Sequence, residues 1–307
     1  MIGNTYIDGK DLYGSFGTFI VEGGYNALIS YPQMGTIQLN NWPEWDGVEV
    51  DLTRPTLKSK DFALNFAAHK NINTGGLIEQ LSDQAYHTFD FRSIGRTYKL
   101  RMVSQPNLGL FTGLETLSLQ FADDFPLLDY TYQEPYFTLF TQQGYEIDGR
   151  PLSDYGVRVL QGSDAEIKKS PVAKTNLLRT VTGQSGAIYD GKEVVFQAKD
   201  VTLNCLMRAA SIDEFWRNYN ALLFDLVRPG ERSFYADCTG LDYPCYYKSS
   251  GVSVFYPTGK LWCEFSIVLS FISFRVGADE YILASEAGEW LTLEEDGETA
   301  IDMGYGN

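Results

Sequence analysis

Histidine is nearly absent: only His69 and His87 occur in 307 residues. No His-x-x-x-His or Glu-x-x-His motif can form, so a zinc centre would have to gather its ligands from distant segments. Cysteine is also sparse, with Cys205, Cys238, Cys245 and Cys263 all in the second half. Four thiols in so long a chain do not make a disulfide framework, and they fit a reducing compartment. Cys205 and Cys263 read as small core residues on strands. Cys238 and Cys245 read as two free thiols, the alternative being that they face each other across a hairpin. No apolar run approaches the ~20 residues of a membrane span. The start, Met1 to Gly9, has neither the basic flank nor the apolar run of a signal peptide.

Phosphate-cradling loops are missing too: neither Gly-x-x-x-x-Gly-Lys-Ser/Thr nor Gly-x-Gly-x-x-Gly occurs. Gly183-Gln184-Ser185-Gly186 lacks the second glycine of a nucleophile elbow, because Ala187 stands there, and it reads as a turn. Basic residues are the minority, 24 against 40 acidic, for a net charge of -16. A sheath of Lys and Arg around a nucleic-acid backbone is thereby excluded. Solubility accounts for the charge in the plainest way. A wall that repels phosphates, as a conduit for DNA requires, is the sharper reading.

What is abundant is aromatic: 20 Tyr and 19 Phe, within a hydrophobic content of 44%. That is enough apolar material for a core, and Tyr, Phe, Val and Thr favour sheet. The chain also repeats itself. Ile7-Asp8-Gly9-Lys10 recurs as Ile147-Asp148-Gly149-Arg150. Trp45-Asp46-Gly47-Val48-Glu49-Val50 recurs as Tyr189-Asp190-Gly191-Lys192-Glu193-Val194, and Asp61 to Asn65 recurs as Asp200 to Asn204. Leu117 to Phe121 resembles Phe265 to Leu269. One Asp-Gly match would mean only a turn, but islands in one order point to duplication. The expected organisation is a first β domain over 1–127, an aromatic connector over 128–146, a second β domain over 147–276 and a C-terminal tail over 277–307.

In the second repeat, strands are expected over 155–160, 192–198 and 201–207, the last two joined at Lys199-Asp200. Further strands are expected over 233–236, 243–248, 251–256 and 261–274, with a hairpin around Gly183–Gly186 and a polar loop over 162–169. Val201, Leu203 and Cys205 alternate with polar residues. One strong helix begins at the capping box Ser211-Ile212-Asp213-Glu214, presents Phe215, Trp216, Tyr219, Leu222, Leu223 and Leu226 on one face, and stops at Arg228-Pro229-Gly230. A shorter counterpart is expected over 75–85. The connector, with Tyr130-Thr131-Tyr132 and Tyr136 to Phe140, is a candidate strand. The tail, with 281–286, 290–294 and 299–302 between glycine turns, predicts a small meander. The fold class is mainly β with some helix: two tandem β-barrels or sandwiches, each with one packed helix.

Candidate chemistry is thin. Asp46, Glu49, Asp190 and Glu193 repeat between the halves, and turn-making explains them without catalysis. Trp42-Pro43-Glu44-Trp45 is an aromatic cluster suited to a partner contact or a sugar platform. With Trp290, Trp42 and Trp45 are the candidate contact residues. No catalytic residue, cofactor or metal is expected.

The second repeat resembles the distal tail protein class of phages through Ile147 to Val157, Tyr189-Asp190-Gly191 and Leu226-Val227-Arg228-Pro229-Gly230. The resemblance covers 147–276 well and 7–126 more weakly. Leu283 to Glu286 and Leu293 to Gly297 resemble the Glu-Asp-Gly repeats that end many phage structural proteins. The resemblance implies a tail-tube-like barrel with a helix. It implies a ring around the DNA channel at the junction of tail tube and baseplate, and a protein without catalytic residues. The implied partners are copies of the chain itself and other tube or baseplate proteins, with DNA only as passing cargo and no membrane. The implied location is the virion tail, after synthesis in the bacterial host cytoplasm. This chain departs from the class in carrying two ring-type domains. A ring of six barrels comes from six single-domain chains or from three duplicated ones, so the expectation is a homotrimer with pseudo-sixfold symmetry, with a hexamer as the alternative. The competing readings are a carbohydrate- or cell-surface-binding β-sandwich using Trp42, Trp45 and Trp290, and a hydrolase with two carboxyl groups about 5–10 Å apart.

Overall fold

The computed structural model describes residues 2–273 apart from 22, 70–73, 112–113, 143, 176, 190 and 192–193. The expected C-terminal meander, with Trp290, lies outside the described residues, as do Asp190 and Glu193.

The first half runs β1 (Thr5–Ile7), β2 (Lys10–Asp11), α1 (Leu12–Phe16), β3 (Thr18–Ile20), α2 (Asn26–Ile29), β4 (Gln38–Asn40) and β5 (Glu49–Asp51). It continues with β6 (Lys60–His69), α3 (Thr74–Ser82), β7 (His87–Phe91), β8 (Arg96–Phe111) and β9 (Leu114–Asp123). The second half runs β10 (Tyr145–Ile147), β11 (Arg150–Pro151), a 3-10 turn (Leu152–Tyr155), β12 (Val157–Val159), α4 (Ser163–Lys168), β13 (Leu178–Arg179) and β14 (Ile188–Tyr189). It ends with β15 (Lys199–Arg208), α5 (Ile212–Leu226), β16 (Arg232–Ala236), β17 (Leu241–Tyr256) and β18 (Trp262–Phe271).

Each half builds a seven-stranded antiparallel sheet, and the two orders match strand for strand: β2-β1-β7-β8-β9-β6-β3 and β11-β10-β16-β17-β18-β15-β12. In the first sheet β2 and β3 are the two edges, yet only α1 and Gly17 lie between them. A five-residue helix spans roughly 8 Å, so the sheet must curl until its edges meet across that helix. The 3-10 turn and Gly156 do the same for β11 and β12. The expected mainly β fold is therefore present as two curled sheets. In β15, Val201, Leu203, Cys205 and Met207 all point inward, the period-two pattern of a half-buried strand.

The repeated Asp-Gly island makes the same turn twice. Asp8 and Gly9 have φ of 51° and 80°, and Asp148 and Gly149 have φ of 50° and 75°. Two successive positive φ values between paired residues, Ile7↔Lys10 and Ile147↔Arg150, define the type I′ hairpin that Asp-Gly favours. Each aspartate also pins its turn to the neighbouring strand. Asp8 accepts from Thr88 N at 2.8 Å and meets His87 Nδ1 at 2.7 Å, while Asp148 accepts from Ser233 N at 2.9 Å and Arg232 Nη1 at 2.6 Å.

Helix α5 starts as its sequence predicts. The Ser211 hydroxyl accepts from Glu214 N at 3.1 Å, and Glu214 Oε1 accepts from Ala210 N at 3.3 Å. Phe215, Tyr219, Leu222 and Leu226 are fully buried, each contributing about 1.5–3 kcal/mol of transfer free energy.

Five local expectations need correction. Residues 163–168 form α4, not a polar loop: Ile167 is buried and anchors the turn, and Asp164 and Glu166 sit favourably in its first turn. Lys199-Asp200 opens a single ten-residue strand, β15, because both residues pair with β18, while among the described residues of the expected preceding strand, 194–198, Phe196 forms an isolated bridge to Ala173. Residues 243–256 are one strand, β17, with bulges between Tyr247 and Ser249 and between Val252 and Val254. The connector is no strand: it lies extended across α5, with Tyr136 N donating to Asn218 Oδ1 at 3.0 Å and Tyr132 OH donating to Asp225 Oδ2 at 3.1 Å. The structural counterpart of the Gly47 turn between β4 and β5 is the Gly183–Gly186 turn between β13 and β14, whereas Gly191 follows β14. All four cysteines are free, and Cys245 pairs across the hairpin with Arg232, not with Cys238.

Candidate assembly surface

The two halves share one core. The ring of Tyr31, from the first half, packs 4.1 Å from that of Tyr219 of α5 at a tilt of 34°, and its hydroxyl donates to the Tyr219 carbonyl at 2.6 Å, while Tyr219 OH donates to Ile29 O at 3.0 Å. Tyr247 OH reaches Pro32 O at 2.8 Å, and Trp216 Nε1 reaches Ile94 O at 2.5 Å. The Arg96 guanidinium lies 4.7 Å from the Trp216 ring, a cation–π contact. Burial drives the pKa of Tyr31 and Tyr219 well above the usual tyrosine value, with neighbouring Tyr247 adding to Tyr31 and Tyr31 to Tyr219.

Around this core the β4–β5 hairpin acts as an arm whose turn docks on the second half. Gly47 N donates to Phe196 O at 2.8 Å and Val48 N to Ile272 O at 3.0 Å. Asp46 Oδ1 accepts from Phe196 N at 2.7 Å. The ammonium of Lys174 enters the turn and donates to the carbonyls of Trp42, Trp45 and Gly47 at 2.7–2.8 Å. Burial lowers the Lys174 pKa, against the opposing pull of Asp46 and Glu44. Gly47 is required here: a Cβ would lie 1.6 Å from the Ile272 carbonyl, and its φ is +66°. At the base of the arm, Met34 N donates to Lys248 O at 3.0 Å.

Trp42 and Trp45 lie in this docked turn with side chains 48% and 70% exposed. Their carbonyls face Lys174, and Trp42 Nε1 donates to Glu49 Oε2 at 3.1 Å. Hydrogen bonds from Trp42 and Asn40 hold the Glu49 carboxyl below the usual range. Asp46 and Glu49 are thus committed to separate structural contacts. Among the described residues no group of three or more His, Cys, Asp or Glu could hold a metal ion. A solvent-open groove of about 900 Å³ runs between the halves past Arg96, Lys99, Asp123, Tyr130, Trp216 and Arg217. No helix of the described residues is long and apolar enough to cross a membrane.

Two lysines escaped the sequence reading. Lys60 Nζ donates to the carbonyls of Leu28 and Ser30, the latter at 2.8 Å, and Lys199 Nζ to Ile167 and Lys169 at 2.5 and 2.6 Å. Each ties the C-terminal end of a short helix, α2 or α4, to the first residue of the following long strand, where a cation is favoured. Their signal was available, because each lysine immediately precedes a repeated aspartate, Asp61 or Asp200. Lys174 carried no such signal: its partners are distant in sequence.

No family model matches the chain, and no curated protein matches it. A search of solved structures finds the crystal structure of the SPP1 Dit protein, described as a paradigm of the hub adsorption apparatus in phages that infect Gram-positive bacteria. It is 12% identical, with a TM-score of 0.31, over 87% of this chain and 97% of that one.

Proposed function

We propose that this chain is a structural tail protein of a phage or prophage, which assembles with copies of itself into a ring at the junction of tail tube and baseplate. One observation carries the reading. Two curled sheets of identical strand order are joined within one chain, partly through a hairpin turn of the first half whose counterpart at Gly186 in the second half meets no described neighbour. A tandem copy of one barrel with a heterologous contact between copies generates a ring when the rotation closes. Residues 147–157 and 226–230 support the assignment to a tail through their resemblance to the distal tail class. In this reading the protein has no catalytic role, its partners are itself and neighbouring tube or baseplate proteins, and DNA is passing cargo. Three chains give six barrels around the lumen, and the net charge of -16 suits a wall that does not grip DNA.

Native mass spectrometry of the full chain tests the reading. A discrete closed oligomer, with three chains as the expected species, supports it, and a chain that stays monomeric at its highest soluble concentration overturns it. Salt-sensitive DNA binding would remove the passive-lumen part alone.

The exposure of Trp45 favours one second reading, a carbohydrate-binding surface. Binding to a glycan array that Trp45→Ala abolishes would favour it over assembly.

A further inference from the structure

The docked arm of the first half has an undocked twin. The β13–β14 hairpin has the same base as β4–β5. Gly35 N donates to Thr56 O and Lys58 N to Gln33 O, and in the second half Lys174 N donates to Val195 O and Gln197 N to Val172 O. The bridges Met34↔Leu57 and Ala173↔Phe196 mark equivalent positions. From these, Gly186 and Ala187 correspond to Gly47 and Val48. The surroundings differ completely. A Cβ on Gly47 would strike Ile272, whereas a Cβ on Gly186, also at positive φ (+91°), would meet nothing within 4 Å. The twin arm exposes Val181, Leu178 and Ile188 at 51%, 49% and 46%, among the exposed polar residues Arg179, Thr180, Thr182, Gln184 and Ser185.

The receiving surface has a twin as well. The first arm docks on three backbone carbonyls of the second half: Phe196 at the arm base, Ile272 just after β18, and Lys248 at the bulge of β17. Their counterparts in the first half are Leu57 at the arm base, Asp124 just after β9, and Val103 at the bulge of β8 between Met102 and Ser104. Neither the Leu57 nor the Asp124 carbonyl accepts a backbone hydrogen bond from another described residue outside the strand ladders, and Val103 has no register partner in β9. Val103 is 50% exposed, and the extra residue of a bulge is left unpaired by its own ladder.

We propose that the β13–β14 arm docks on the first half of a second copy of this chain, repeating between chains the contact seen within one. Gly186 N–H donates to the neighbour's Leu57 carbonyl, Ala187 N–H to its Asp124 carbonyl, and Ala173 N–H to its Val103 carbonyl. Unpaired strand edges of this kind are completed by another chain. Because the arm leaves by one half and is received by the other, the contact is heterologous and continues from copy to copy. This docking rule rests on the self-assembly reading and specifies its surface.

Sedimentation velocity of the wild type and Gly186→Asn tests it. Asparagine tolerates positive φ, so Gly186→Asn leaves the isolated chain folded, as circular dichroism verifies, but places a Cβ where the neighbour's Asp124 must lie. The expected result is an assembling wild type and at least tenfold weaker assembly of the variant. A wild type that assembles alongside a variant that assembles equally well overturns the docking rule and leaves self-assembly standing. A wild type that stays monomeric overturns both. A photo-crosslinking residue at position 181 is expected to join another copy near Leu57 or Asp124, and crosslinks only within its own chain overturn the rule.

Discussion

Tyr31 and Tyr219 hold the two halves together by reciprocal hydrogen bonding. The Tyr31 hydroxyl donates to the Tyr219 carbonyl, the Tyr219 hydroxyl donates back to the Ile29 carbonyl, and the rings pack 4.1 Å apart. Both side chains are almost completely buried, so the halves share a core instead of touching at their surfaces. Tyr219→Phe keeps the ring and leaves the Ile29 carbonyl without that donor. The expected loss is about 1–3 kcal/mol, read as a lower denaturant midpoint. The wild type is expected to unfold in one transition by fluorescence and circular dichroism alike, since the buried residues of the two halves form one continuous cluster.

Alkaline pH acts on the same pair. Burial raises the folded-state pKa of Tyr31, Tyr155, Tyr219 and Tyr247, with the Asp225 carboxylate adding to the rise at Tyr155. In the unfolded chain these phenols ionise near pH 10, so their contribution is complete below that value. It is lost as pH rises above it, because the unfolded state releases protons that the folded state retains. A spectrophotometric titration at 295 nm is expected to show exposed tyrosines ionising first and the buried set only on unfolding.

Acid pH acts on two carboxylates. Hydrogen bonds from Arg101 and Ser59 outweigh burial and hold the Asp124 carboxyl at about 2, with Tyr86 assisting. At Asp8 burial raises the pKa, but hydrogen bonds from His87, Thr88 and Gln80 together outweigh it and leave the carboxyl below its usual value. Both groups stabilise the fold above the unfolded pKa near 4, and that stability is lost as pH falls through the folded value. Asp124→Asn is expected to flatten the dependence of stability on pH between about 4 and 2 in acid unfolding, relative to the wild type.

Lys60 has the opposite sign. Burial of its ammonium group lowers its pKa to about 8, with Asp123 opposing, although the residue as a whole is only partly buried. Between pH 8 and 10.5 the unfolded chain keeps a proton that the folded chain gives up, so the Lys60 contribution makes stability rise with pH. Lys60→Met is expected to remove that rise. It also leaves the Leu28 and Ser30 carbonyls without their donor, at a cost of about 1–3 kcal/mol at neutral pH.

Asp148 tests the repeated turn. Its Oδ1 accepts from Ser233 N, and its Oδ2 accepts from Arg232 and Arg228. Asp148→Ala is expected to cost about 1–3 kcal/mol, and Asp148→Asn less, since one oxygen can still accept from Ser233. Chemical denaturation of the two variants separates anchoring from turn propensity.

Some of this was written in the sequence because the physics is local. The Asp-Gly turns at 8–9 and 148–149 need positive φ within two residues, the cap of α5 is complete within four, and the alternation of Val201, Leu203 and Cys205 shows which face of β15 is buried. Tertiary structure decided what depends on distant partners. Lys199-Asp200 resembles a turn until β18 pairs with it, the connector resembles a strand until α5 covers its polar groups, and Lys174 has no meaning until the 42–47 turn arrives over it. The difference between Gly47, pressed against Ile272, and Gly186, open to solvent, lies in no local pattern. It exists because one hairpin finds its receiving surface inside its own chain, while the turn of the other meets no described residue there.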